Sequence, residues 1–210
     1  MNLQGKKIVI TGAFGALGSS VAAAVQTAGA SVACIDSASA PATALPRSIV
    51  LGGVDLSSAA AANTALQEAA EKLGGLDGLV NIAGTFRWET LEGGSTETWD
   101  MLYNVNVRTA VNATRAALSK LNKGGRILNI GAAGAIKAGA GMGAYAASKS
   151  GVAKLTEALA DELKDRDITV NAVLPSIIDT PVNRADMPDA QFDRWVKAEQ
   201  VADLIVFLLS

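Results

Sequence analysis

Short runs of apolar, mostly β-branched residues alternate along this chain with longer alanine-rich stretches whose apolar positions recur every three or four residues. The first kind reads as strands: KIVIT (7–11), SVACID (31–36), SIVLG (48–52), GLVNI (78–82), RILNIG (126–131) and ITVNAVL (168–174). The second kind predicts helices over 16–28, 58–73, 96–120 and 143–165, with a last helix opening in VADLIVFLLS (201–210). In the first of these, Leu17, Val21, Ala24, Val25 and Ala28 make one apolar face. The strand runs are apolar throughout instead of alternating with polar residues, which suits strands covered on both faces, as in a parallel sheet. Regular alternation of strand and helix then predicts a doubly wound α/β sheet with helices on both faces, a single domain over 1–210. No linker, low-complexity tract or internal repeat divides it.

Composition narrows the function more than the fold. Apolar residues are 50% and charged residues 18% of 210, which is an ordinary globular balance with enough chain for a large core. The net charge is -2 and no Lys/Arg run occurs, so nucleic acid is not an expected partner. Histidine is absent, which excludes Ser-His-Asp hydrolysis, Cys-His proteolysis and histidine-ligated metal sites together. The one cysteine, Cys34, lies in an apolar run; it reads as a packing residue and fits a reducing cytoplasm. The first apolar run ends at a glycine within a few residues, so neither a signal peptide nor a membrane span is expected.

In a doubly wound sheet, ligands collect at the carboxyl ends of the strands, here just after Thr11, Asp36, Ile82, Gly131 and Leu174. The first strand runs into TGAFGALGSS (11–20) and then a helix. Gly12, Gly15 and Gly18 in that position let backbone N–H groups approach a pyrophosphate at the positive end of a helix, a Rossmann-type dinucleotide site. Asp36 ends the second strand, where a carboxylate accepts both ribose hydroxyls of an adenosine and repels a 2′-phosphate. No Arg or Lys stands between Gly12 and Asp36, so NAD(H) is expected over NADP(H). Asp55, after the third strand, has two readings: a partner for the adenine amino group, or the cap of the next helix.

Tyr145 and Lys149 stand four residues apart in a predicted helix and therefore rise on one face. A phenol titrates near pH 10, and a neighbouring ammonium lowers such a value by roughly one to three units. The pair reads as a proton donor with its tuner, the Gly and Ala around it leaving room for cofactor and substrate; a chance surface pair has the same spacing.

TGAFGALG, VDL (54–56), NIAG (81–84), Asn106 in YNVNVRT, YAASK and NAVLPSIIDTP (171–181) together resemble the short-chain dehydrogenases/reductases, in order and in spacing, over essentially the whole chain. The resemblance implies that Tyr145 is the general acid/base and that Lys149 holds the nicotinamide ribose and lowers the phenol's pKa. It implies that Asn106 kinks its helix and holds a relay water. The cofactor would be lined by Phe14, Leu17, Leu56, the Asn81–Gly84 stretch with Ala83, Pro175, and Ile178 and Thr180 at the carboxamide. It also implies a homodimer or homotetramer, and a further strand past Ser210, where this sequence stops.

Two positions depart from the pattern. Ala132 stands where such enzymes carry a serine that hydrogen-bonds the substrate carbonyl, a donor typically worth about 2.7–4 kcal/mol in the barrier. The glycine loop has Ala16 in place of its middle glycine, with Gly15 one place early. Both departures, the GMGAY stretch and LPSIIDTPVNRADMPDAQFDRW (174–195) resemble the dihydropteridine reductase branch, which implies NADH-dependent reduction of a quinonoid dihydropterin. Phe86 and Trp88 then either stack on a flat pterin or close the lid of another pocket. Asn106 and NIAG match the wider family better than that branch. Two other functions stay open: reduction of another activated carbonyl, imine or quinone, and NADH sensing without catalysis.

Overall fold

The computed structural model describes residues 1–210. Six strands, β1 (Lys7–Thr11), β2 (Ser31–Ile35), β3 (Ile49–Leu51), β4 (Leu76–Asn81), β5 (Leu121–Ile130) and β6 (Thr169–Val173), pair in parallel in the order β3-β2-β1-β4-β5-β6. The order reverses between β1 and β4, so their carboxyl ends open a crevice. Helices α1 (Ala16–Thr27), α2 (Ala59–Leu73), α3 (Thr96–Leu102), α4 (Thr109–Ala117) and α5 (Gly143–Leu163) lie between the strands in sequence. After β6 come β7 (Ile178–Asp179), α6 (Pro181–Asp186), β8 (Val196–Lys197) and α7 (Ala198–Leu209).

Strand pleating sorts the apolar runs to two cores. Ile8 and Ile10 face α1 and α7, joining Val21, Val25, Ile205 and Cys34. Val9 faces the other way with Leu66, Leu79 and Ile127 under α2 and α4. This two-sided burial is the reason the strands lack polar alternation. Cys34 is buried at 4% exposure, and desolvation pushes its thiol up to about 11.

Three differences from the sequence expectation have local causes. The helix predicted over 96–120 runs to Ala117 with a change of winding between α3 and α4: Tyr103–Arg108 is a π-helical segment that contains Asn106. Wider turns of this kind kink a helix at functional sites. Strand β5 begins at Leu121, earlier than Arg126, because Leu121 pairs with Leu76 across an irregularity in the ladder. The short elements β7, α6 and β8 have no periodic signal; they are held by the tertiary contacts described next.

Candidate active site

The loop after β1 packs directly on the loop after β4. Thr11 Oγ1 accepts from the N–H groups of Ile82 (3.1 Å) and Ala83 (3.3 Å). Gly12 has a φ of +63°, and a Cβ there would lie 2.7 Å from Ala83 N. A Cβ on Gly18 would collide with the Gly12 carbonyl oxygen, so α1 sits hard against this turn. Gly15 differs: a Cβ there meets only Gly12 O, at 3.6 Å. It begins α1, and no side chain caps that helix end. The first-turn N–H groups therefore have no side-chain partner, which leaves them for an anion. Asp36 lies beside them, its Oδ2 accepting from Phe14 N–H (2.9 Å) and its Oδ1 from Ala38 N–H (3.0 Å). These residues fit a dinucleotide.

The side chains of several expected cofactor residues have partners within the protein. The Leu17 and Leu56 side chains are buried in the two cores, since each lies on the inward face of its segment. Asn81 ends β4 with its side chain turned under the sheet, where Nδ2 donates to Thr114 Oγ1 (3.0 Å) and Asn129 Oδ1 (2.9 Å). Asn129 in turn donates to Thr156 Oγ1 (2.9 Å). This buried polar row ties β4 and β5 to α4 and α5; an asparagine inside an apolar strand run was its only sequence signal. The exposed Asp55 accepts from Ser57 N–H (2.9 Å), and Ser57's hydroxyl and backbone hold the carboxyl below its usual range. Ser58, not Asp55, caps α2, so the capping reading of Asp55 falls away.

The catalytic candidates converge at the carboxyl end of β5. Lys149 is 6% exposed, and its Nζ donates to Ile130 O at 2.8 Å. Asn106 is equally buried: Oδ1 accepts from Thr85 N–H (2.7 Å), while Nδ2 donates to Thr85 O (3.0 Å) and Ser148 Oγ (2.9 Å). Ser148, absent from the sequence reading, passes the connection on by donating to Tyr145 O (2.7 Å). Gly84 lies between the groups; a Cβ there would be 2.9 Å from Asn106 Oδ1 and 3.3 Å from Lys149 Nζ. Asn106 thus acts as a clamp through its side chain, both amide hydrogens being committed to protein oxygens, and it lies within the π-helical segment Tyr103–Arg108.

The tuning expected of Lys149 is not what the structure displays. No hydrogen bond links it to Tyr145, and burial raises the phenol's pKa above its usual value. Burial pushes Lys149 down to about 8. Tyr145 is consequently a neutral phenol across the physiological range, the form that donates a proton. The folded chain holds the Lys149 ammonium at a cost that vanishes as pH rises from about 8 toward the unfolded value near 10.4. Stability should therefore rise between about pH 8 and 10, by about 2–3 kcal/mol. Urea midpoints across that range check it: Lys149→Met should flatten the rise, and an unchanged profile would contradict the burial effect.

Nor are the glycines of GMGAY vacant. A Cβ on Gly141, at φ +73°, would collide with the Trp88 indole, and one on Gly143 would lie 3.4 Å from Trp99. Trp88 Nε1 donates to Ala140 O (3.0 Å). The Phe86 ring meets Tyr145 edge to face, centroids 4.9 Å apart.

On the remaining wall, Pro175 O accepts from Ala133 N–H (2.9 Å) and Ile178 packs on the α1/α7 core. Thr180 Oγ1 caps α6 by accepting from Asn183 N–H (3.2 Å). Asp179 accepts from Arg184 Nε (2.6 Å) and Lys197 Nζ (2.6 Å), which hold its carboxyl well below the carboxylate range. Arg184 lies over Phe192, 4.7 Å to the ring centroid, and Phe192 packs on Trp195. The DTP, NR, F and W of the sequence motif thus fasten this flap to itself. No helix is long and apolar enough to cross a membrane, and no cluster of His, Cys, Asp or Glu is placed to hold a metal.

The family described as short chain dehydrogenase matches residues 6–191, which include the glycine loop, Asn106, Tyr145, Lys149 and most of the flap. The chain belongs to the short-chain dehydrogenase/reductase family. Within it, a 3-oxoacyl-(acyl-carrier-protein) reductase of Pseudomonas aeruginosa is 32% identical over 228 residues, 100% of this chain and 92% of that protein. An acetoacetyl-CoA reductase of an Acinetobacter species is 30% identical, covering 98% of this chain and 90% of its own. A short chain dehydrogenase of Burkholderia cenocepacia, solved in complex with NADP, superposes with a TM-score of 0.87 at 33% identity over 100% of this chain and 92% of its own. The chain is accordingly an NAD(P)-dependent oxidoreductase of this family.

Proposed function

We propose that this chain is an NADH-dependent reductase of acceptors that are already electron-poor on arrival, quinonoid dihydropterins foremost, working in the cytoplasm as a homo-oligomer. The observation that carries this reading is Ala132, a buried methyl two residues beyond the carbonyl that holds Lys149. The neighbouring donors are engaged elsewhere, Ser148 Oγ on Tyr145 O and the Trp88 indole on Ala140 O. An acceptor here receives a proton from Tyr145 but no second hydrogen bond to draw charge onto its oxygen. A ring already primed for two-electron reduction does not need one.

A nicotinamide dinucleotide, when bound, supplies the hydride. The open first turn of α1 would take its pyrophosphate, and Asp36 its adenosine ribose, the carboxylate that favours NADH over NADPH. Lys149 would hold the nicotinamide ribose, Asn106 would keep Thr85 and α5 in register, and Tyr145 would deliver the proton.

Reduction of a 3-oxoacyl thioester is the second reading, favoured by the full-length similarity to enzymes of that activity. Steady-state NADH oxidation with quinonoid dihydropterin, acetoacetyl-CoA and a simple ketone separates the two. Rapid acetoacetyl-CoA turnover without dihydropterin turnover would overturn the first, and NADH binding without any turnover would indicate a sensor. Ala132→Ser should raise kcat/KM for acetoacetyl-CoA about 10²-fold and change dihydropterin reduction far less. Asp36→Ser should weaken NADH about tenfold and tighten NADPH, as read by fluorescence titration; equal affinities in the wild type would overturn the NADH preference.

A further inference from the structure

Aromatic residues are scarce in this chain, three Trp, two Tyr and four Phe, yet four of them gather at the first turn of α5, Tyr145 on the helix itself and Phe86, Trp88 and Trp99 around it and the loop leading into it. Trp88 occupies the space of a Gly141 side chain, Trp99 abuts Gly143, and Phe86 meets the ring of Tyr145. Three of the four are substantially exposed: Phe86 at 46%, Trp88 at 59% and Trp99 at 40%. Exposed aromatic surface gathered at one place marks a binding site more often than a packing residue. The cluster is also anchored. Glu89 N–H donates to Gly141 O (2.9 Å) and the Trp88 indole to Ala140 O, so residues 88–89 are stitched to residues 140–141 by two hydrogen bonds.

We infer that Phe86 and Trp88 form an aromatic wall that selects flat, conjugated acceptors, Phe86 being the specificity-determining residue beside the proton donor. The wall rests on the reading of Tyr145 as that donor. Phe86 is the member in contact with Tyr145, and close to half of its surface is free to meet a substrate. An aromatic face stacks on a planar ring through its quadrupole and its area, whereas a flexible thioester chain gains little from it. The glycines follow from the same demand. Only a residue without a side chain lets the indole lie against the backbone at position 141, where φ is +73°.

The test is a comparison of acceptors. Wild type, Phe86→Ala and Phe86→Trp are assayed with NADH against a quinonoid dihydropterin, an ortho-quinone and acetoacetyl-CoA. Phe86→Ala should lower kcat/KM for the flat acceptors at least tenfold more than for acetoacetyl-CoA, and Phe86→Trp should restore them. A uniform loss, no loss, or wild-type turnover of acetoacetyl-CoA alone would overturn the wall. Turnover of the quinone but not the dihydropterin would end the pterin assignment while leaving the wall to stand or fall on the quinone ratio. If the wild type reduces none of the three, quenching of 6-hydroxymethylpterin fluorescence by the NAD+-saturated protein decides. Binding weakened at least tenfold in Phe86→Ala upholds the wall, and no binding, or equal binding, refutes it. Should Phe86→Ala fail to fold, Phe86→Leu, which keeps bulk without a flat face, takes its place in both assays.

Discussion

Tyr145→Phe should lose between about 10² and 10⁴ in kcat while binding NADH as well as the wild type does. The substitution removes one oxygen and leaves the ring, so the edge-to-face contact with Phe86 survives. The phenol makes no hydrogen bond to the protein and donates none of the contacts that fix α5; those come from Lys149 on Ile130 O and Ser148 on Tyr145 O. Stability should therefore hardly change, and the loss should fall on proton delivery. Burial raises the phenol's pKa, so the donor form persists through neutral and mildly alkaline pH. In the reduction direction the wild-type rate should then show no decline attributable to tyrosine ionisation through neutral and mildly alkaline pH. Steady-state kcat as a function of pH, with NADH affinity from fluorescence, checks both halves. A fully active phenylalanine variant would remove Tyr145 from the chemistry.

The glycine loop offers the second large effect, because two of its glycines should fail for different reasons. Gly18 lies within α1, where alanine is ordinarily better by about 1 kcal/mol. Here a Cβ would collide with the Gly12 carbonyl oxygen and lie 2.7 Å from Ala13 Cα, backbone that cannot rotate away. Overpacking of this kind costs about 1–3 kcal/mol or more and outweighs the propensity gain. Gly18→Ala should lower the thermal midpoint and NADH affinity together. Gly15→Ala meets only Gly12 O, at 3.6 Å, in ordinary contact, and its extended φ of -71° suits any residue. That variant should keep its thermal midpoint yet bind NADH at least tenfold more weakly, since the new methyl stands where the pyrophosphate approaches. Thermal melts paired with NADH titrations separate the two; equal destabilisation would show that the loop holds structure and no ligand.

The strands were legible because a sheet covered on both faces demands unbroken apolar runs, and KIVIT and SVACI satisfy that demand without ambiguity. As a candidate pair, Tyr145 and Lys149 were legible from their spacing together with the family motifs around them, since a chance surface pair has the same spacing. Their environment was not, because it depends on atoms remote in sequence: the carbonyl of Ile130 for Lys149, and Ser148 with Thr85 for Asn106. The surroundings of the Asn81 side chain were hidden for a related reason. Its position at a strand end marks the crevice, yet one step of pleating turns its side chain down among Thr114 and Asn129. The flap residues carried no period because β7, α6 and β8 are too short to have one, and charge pairing on Asp179 does the work that burial does elsewhere. By sequence the glycines at 141 and 143 look like clearance, whereas each faces an indole brought from elsewhere in the chain, Trp88 and Trp99.

Cys34 sets a further expectation for handling this protein. Quinone-like oxidants alkylate accessible thiolates, and many enzymes are poisoned by the compounds they are assayed with. A lone sulfur walled in beneath α1 and α7, its proton retained to about pH 11, offers such electrophiles no target. The catalyst should survive prolonged incubation with maleimides or benzoquinones without losing activity.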